Sequence, residues 1–329
     1  MNNLANNKTY FVVTVDTESD DAWKKPDVVS LENLKEIPHF QELCEKYGII
    51  PTYLLSYECA ARDEAISVLK PILERGKCEI GHHLHVWSTP PFQKKNENED
   101  IDLEWIHAYQ FELPDSLFEE KALTLKETIK KNYGISPVSH RAGRWGIDQR
   151  TIDWLIKNGF EVDSSVIPLK NFSQHKGKHS GGPDFYNKSF APYLWKGSDN
   201  DLLIEIPVSV YYPLNFFEKN FFRKSTLGRK IGNQFRVGRT LSLNPTFSTG
   251  FNETLIKNEI KNKKPVINLA LHSSELALNC GPYSYTLEGY KKVWEILEKT
   301  FKFIRIKDIR SLSLEQTAKH FNSKTGNEN

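Results

Sequence analysis

Residues 79–87 read EIGHHLHVW, so that three of the ten histidines, His82, His83 and His85, fall within four positions. Read as the end of a β-strand, this stretch sorts its own side chains, because residues two apart on a strand share a face. His83 and His85 then face one side, and His82 and Leu84 the other. At roughly 3.3 Å of rise per residue, the two imidazoles start about 6–7 Å apart. They can close on one divalent ion if a carboxylate arrives from elsewhere. On these residues alone, a polar strand end with solvated histidines is the competing reading.

On either side of this strand, apolar β-branched runs alternate with helical periodicity. Residues 10–15, YFVVTV, read as a buried strand, and 51–56, PTYLLS, as the next. Between them, Leu34, Ile37, Phe40 and Leu43 give 31–47 one apolar helical face, closed by Gly48. A helix over 63–75 ends at Gly76 just before the histidine strand. Further on, the pattern predicts helices over 118–131, 148–156, 252–262 and 287–300. It predicts strands over 138–143, 160–164, 202–210, 266–271 and, last, 303–306. The opening order of strand, helix, strand, helix, strand is the mark of parallel βαβ units. The expectation is one α/β barrel domain over 9–312, elaborated by insertions at about 88–115, 170–195 and 213–245, with a disordered stretch at 1–8 and a tail at 313–329.

The totals agree with that size of domain. Of 329 residues, 39% are hydrophobic and 26% charged, which allows a sizeable core and excludes wholesale disorder. A formal charge of +2 gives no sign of a nucleic-acid partner. Cys44, Cys59, Cys78 and Cys280 are scattered, with no CxxC pair, and read as reduced thiols. No apolar run approaches the roughly 18 residues of a membrane span. MNNLANNKTY shows no signal-peptide pattern, so the expected location is cytoplasmic. The sequence leaves the oligomeric state open.

Polar candidates recur where apolar runs end. Asp16 and Glu18 follow the first run and share a face by parity. Arg141, Asp163 and His272 end later strands. In a parallel α/β barrel such ends form the rim that carries active sites. The motifs VDTE, EIGHHLH, HRAGRWG, VDSS and LALHSSEL, in that order, resemble those of the polysaccharide deacetylases, the NodB-homology or carbohydrate esterase 4 family. Their wording is similar to that of the branch associated with surface-polysaccharide and lipopolysaccharide biosynthesis. The resemblance covers about residues 10–305 and implies a distorted (β/α)7-8 barrel.

The resemblance also implies roles. Asp16 matches the general base, Arg141 the residue that holds it, His272 the catalytic acid and Asp163 the carboxylate that orients His272. Glu18 and His83 match metal ligands, and parity makes His85 the second histidine, with His82 the outsider. The ion is one divalent metal, zinc by default, with cobalt, nickel, iron or manganese also suited to such a donor set. The expected reaction is removal of an N-acetyl group from an amino sugar that is nucleotide-linked, lipid-linked or polymeric. Two features depart from the family pattern. Thr17 separates the acidic pair, and Trp87 stands where a second histidine four residues after His83 is usual. These departures keep two alternatives in view, a metal-free C–N hydrolase of the allantoinase type and a silent sugar-binding domain.

Other residues carry lesser expectations. Trp87, Trp145 and Tyr283 are candidate sugar-stacking surfaces. Residues 216–239, rich in Phe, Lys and Arg, are a candidate contact with the inner face of an anionic membrane. His175 and His179 lie in Gly-Ser-Lys surroundings that read as a flexible loop rather than a second metal site.

Overall fold

The computed structural model describes residues 8–22, 24, 27–93, 101–211 and 238–325. Eight strands form one sheet: β1 (Tyr10–Thr17), β2 (Pro51–Leu55), β3 (Glu79–Leu84), β4 (Ser139–Ala142), β5 (Val162–Asp163), β6 (Tyr193–Lys196), β7 (Leu202–Glu205) and, late in the chain, β10 (Val266–His272). Their order is β10-β1-β2-β3-β4-β5-β7-β6, parallel throughout except for the antiparallel edge strand β6. Pro207 ends the run expected over 202–210, and a separate ribbon of β8 (Val210–Tyr211) and β9 (Arg239–Thr240) follows. The sheet curls until the segment after β7 meets β10. There the Ser209 amide donates to the Asn268 carbonyl (3.0 Å), and Asn268 Nδ2 donates to Ser164 Oγ (3.0 Å) and to the Ile206 carbonyl (3.2 Å).

Strand register sorts residues between the two faces. Val12, Leu54, Val162 and Ile204 turn into the barrel and form an inner core with Ile206 and Val266. Alternate residues, among them Val13, Val15 and Leu55, face outward into a larger core under the helices. Those helices include Ile37–Tyr47, Asp63–Glu74, Asp115–Tyr133, Gln149–Lys157, Phe251–Lys261 and Leu287–Ile306. Gly48 ends the first at φ 71, its amide reaching back to the Cys44 and Glu45 carbonyls, as the glycine predicts. Asp148 caps the fourth by accepting the Thr151 amide at 2.9 Å. The cysteines are free and buried. No helix among the described residues is long and apolar enough to cross a membrane.

Two expectations fail near the C-terminus. Residues 303–306 are the last turn of the helix Leu287–Ile306, not a strand. The short run FIRI fits both periods, and the helical one set by Val293, Ile296, Leu297 and Phe301 simply continues. The segment read as a tail from 313 instead carries the helix Leu314–Thr325. Leu314, Ala318 and Phe321 from this helix close the inner core. Its first amides are anchored below the barrel, Leu314 N on Thr52 Oγ1 (3.0 Å) and Glu315 N on Glu79 Oε2 (2.9 Å).

Candidate active site

At the opposite, C-terminal ends of the strands, register decides which side chains meet. β1 and β10 pair Asp16 with His272, and β3 and β4 pair His83 with Arg141. Arg141 is fully buried, and every nitrogen of its fork is engaged. Nη1 donates to Asp16 Oδ1 (2.6 Å), Nη2 to Thr14 Oγ1 (2.8 Å) and Ser164 Oγ (2.9 Å), and Nε to the Ser164 carbonyl (2.7 Å). Burial alone would push the Asp16 carboxyl up. The Arg141 guanidinium, aided by His83 and His272, outweighs it and holds Asp16 below the usual carboxylate range. Asp16 is thus an ionised, fixed carboxylate.

Beside it, Glu18, His83 and His85 converge, all buried, with one ligand atom of each lying within 4.8 Å of the others. His83 Nδ1 donates to the Arg141 carbonyl (3.0 Å), which turns its Nε2 toward Glu18 Oε2, 3.6 Å away. His85 Nε2 lies 2.7 Å from the same oxygen. Gly143 permits this approach, since a Cβ there would stand 2.4 Å from the Leu84 carbonyl oxygen and 2.9 Å from His85 Nδ1. Against the cost of burial, the two histidines beside it hold the Glu18 carboxyl well below its ordinary range. An ionised carboxylate and two imidazoles aimed at one point are the donor chemistry of a divalent metal site with open positions. Among the described residues no other group of three such ligands occurs. His82 faces the other way, Nδ1 to Nδ1 with His140 at 3.0 Å and Nε2 on the Ala122 carbonyl.

His272 Nε2 lies 3.8 Å from Asp16 Oδ2 and 4.0 Å from Glu18 Oε1. Its Nδ1 is held by Glu275 Oε1 at 3.1 Å. Burial opposes a charge on the ring, but Glu275, then Glu18 and Asp16, prevail and raise its pKa to about 9. Glu275 is the residue the sequence reading missed, and Asp163 the residue it misassigned. Asp163 is in register with His140 and Glu205, in the row that turns away from the barrel axis. There it accepts the Ser165 amide and hydroxyl, both at 2.8 Å, and Ser165 Oγ in turn accepts the Ala142 amide. Burial, and then the Asp163 charge, push the neighbouring Glu205 carboxyl well above its ordinary value. Asp163 therefore braces the arginine motif from behind and does not orient His272.

A cavity of about 230 Å³ opens above these groups. Trp87, Tyr109, Trp145 and Phe172 line it, as do His107, Arg144 and His175. Trp87 packs on His85, with ring centroids 4.5 Å apart, and Trp145 lies 5.0 Å from the Arg141 guanidinium. Tyr283 lines a separate cavity of about 140 Å³ on the far side of Asp16, Trp145 and His272. His179 is apart from His175, edge-on to Trp105. Of the basic segment 216–239, residues 216–237 lie outside the described residues.

No family model and no curated protein matches the chain. Solved structures do. A protein from Mycobacterium smegmatis described as a polysaccharide deacetylase matches with a TM-score of 0.59 at 15% identity, over 97% of this chain and 92% of that one. One from Pseudomonas aeruginosa PAO1, described likewise, matches at 0.51 and 12% identity, over 96% and 91%. A 4-alpha-glucanotransferase from Thermococcus litoralis matches at 0.54 and 13% identity, over 96% of this chain but 40% of its own. One barrel thus hosts more than one chemistry, and function has to be argued from the site. The chain thus has the fold of these solved structures described as polysaccharide deacetylases.

Proposed function

We propose that the protein is a metal-dependent hydrolase that removes the N-acetyl group from an amino sugar in a bacterial surface-polysaccharide or lipopolysaccharide pathway. The observation that carries this is the convergence of Glu18, His83 and His85 beside the buried Asp16–Arg141 pair and His272. Glu18, His83 and His85 would hold one divalent ion, zinc by default, which would supply an acidified water and a Lewis acid for the amide carbonyl. Asp16, kept ionised by Arg141, takes the proton of the attacking water as the new C–O bond forms. His272, protonated and held through Nδ1 by Glu275, gives its Nε2 proton to the amide nitrogen as the C–N bond breaks. Acetate and a free amino sugar leave. Trp87 and Trp145 offer the sugar its apolar faces, and Tyr283 serves from the second cavity. The cytoplasm, with contact to the membrane through 216–239, remains the expected location.

Metal analysis together with acetate release from acetylated sugars tests the reading. Stoichiometric zinc, cobalt or nickel uptake is expected, lost in His83→Ala and His85→Ala. Asp16→Asn and His272→Ala should retain metal and lose acetate release by about a hundredfold or more, the range for a positioned acid or base. A preparation that takes up none of these ions sinks the proposal.

A further inference from the structure

Arg144 is the charge in the cavity that the proposed reaction leaves unused. Its guanidinium donates Nη1 to the His107 carbonyl and Nη2 to the Lys176 carbonyl (2.9 Å), and lies 4.3 Å from the centroid of the Tyr109 ring. Among the described residues no carboxylate is bonded to it. Glu112 is close enough for its charge to be felt, but its oxygens already accept the amides of Tyr109, Lys178, His179 and Ser180 at 2.7–3.0 Å. The neighbouring charges are matched, Arg141 by Asp16 and His272 by Glu275. A half-buried cation that faces a cavity with only carbonyls for partners retains most of its attraction for an anion.

The surroundings extend the argument. His107 and His175 line the same cavity. Burial, and then the Arg144 charge, push the His107 imidazole down, so that it presents a neutral ring able to donate a hydrogen bond. His107, Arg144 and Trp145 all hold positive φ, at 60, 54 and 62°. Left-handed backbone at non-glycine residues carries a cost that persists where the surrounding structure enforces it, and it clusters at ligand-binding sites.

We propose that Arg144, flanked by His107 and His175, forms an anion subsite that binds a phosphate or carboxylate substituent on the N-acetylated sugar. The identity of the sugar rests on the deacetylase reading, whereas the preference for an anion does not.

Calorimetric titration of the purified, zinc-loaded protein with N-acetylglucosamine 1-phosphate, N-acetylmuramic acid and methyl N-acetylglucosaminide tests the subsite. At least one anionic ligand should bind about tenfold or more tightly than the neutral one, as a charge-assisted fork allows. A preference confined to the phosphate or to the carboxylate assigns the substituent. Arg144→Gln should abolish the preference while leaving the affinity for the neutral glycoside within about twofold, and Arg144→Lys should keep part of it. Because Arg144 also ties two loops, thermal melting accompanies each variant. If Arg144→Gln does not fold, the wild-type preference and its partial retention in Arg144→Lys decide the matter. Equal affinities, no binding of any ligand, or a preference undiminished in Arg144→Gln, which would make the metal the receptor, overturns the subsite. An intact, Arg144-dependent preference without acetate release would overturn the deacetylase reading and leave the subsite standing.

Discussion

At the scale of the residue, the site is a set of carboxylates given different tasks by their surroundings. Asp16 is held ionised by Arg141, Glu18 is turned toward two imidazoles, and Glu275 supports the charge on His272. The last contact sets a pH dependence. The His272 pKa is raised from 6.5 to about 9, so the proton that the proposed reaction takes from it is present below that pH and lost as pH rises through it. Acetate release should therefore fall above about pH 9. In Glu275→Gln, which keeps a hydrogen-bond acceptor but not the charge, this limb should move toward lower pH. A kcat profile unchanged in Glu275→Gln would exclude Glu275 from the chemistry. Parity along single strands was enough to group Asp16 with Glu18 and His83 with His85, since a period of two needs no tertiary information. It failed for Asp163, whose strand is only two residues long and takes its facing from β4 and β7. It was also blind to Glu275, which reaches back to His272 from the 3-10 turn Ser273–Leu276. The same close packing predicts that Gly143→Ala, whose new methyl meets the Leu84 carbonyl and His85, will weaken zinc affinity more than it lowers the melting temperature. Comparing zinc titration with thermal melting measures both effects.

At the scale of the element, the wall of the cavity is built from loops whose order comes from partners far along the chain. Residues 170–193 read in sequence as an open excursion, yet Glu112, more than sixty positions earlier, accepts the amides of Lys178, His179 and Ser180. Arg144 fastens the same excursion through the Lys176 carbonyl. No local pattern of glycine, serine and lysine can reveal such a tie, because the acceptor lies in another insertion. Burial would raise the Glu112 carboxyl, but the bonds from the His179, Tyr109, Lys178 and Ser180 amides bring it down to about 2. A depressed carboxylate contributes stability that is full above its ordinary pKa of 4.5 and is lost as pH falls toward about 2. Glu112 is partly exposed, so the effect should be local. Glu112→Gln should speed hydrogen exchange at the amides of 178–180 severalfold at neutral pH, with little change in global unfolding. Unaltered protection at those amides would mean that the loop is held by something else.

At the scale of the whole molecule, the two ends of the barrel have separate tasks. The parallel order of the strands was legible from the alternation of apolar runs and capped helices, and so was the collection of polar residues at one rim. How the other end closes was not read, although its signal was present. Ser313 and Gln316 form a capping box, Ser313 N donating to Gln316 Oε1 (3.2 Å) and Gln316 N to Ser313 Oγ (3.3 Å), and S-x-x-Q before an amphipathic run announces a helix start. From that start Leu314, fully buried, enters the inner core among Val12, Leu54, Val162 and Ile204. Truncating it leaves a void that a curled sheet cannot collapse to fill, so Leu314→Ala should cost about 2–5 kcal/mol of stability. The helix docks on Thr52 and Glu79, at the ends of β2 and β3 away from the Glu18, His83 and His85 cluster, so the loss should not reach the site. Urea unfolding of Leu314→Ala, together with zinc affinity and acetate release per folded molecule, separates the two effects. A loss below about 1 kcal/mol, less than the low end for a buried leucine, would mean that the helix only rests on the barrel. Weakened zinc binding in the folded fraction would mean that the inner core couples both ends, and the division between a stabilising base and a catalytic rim would not hold for this chain.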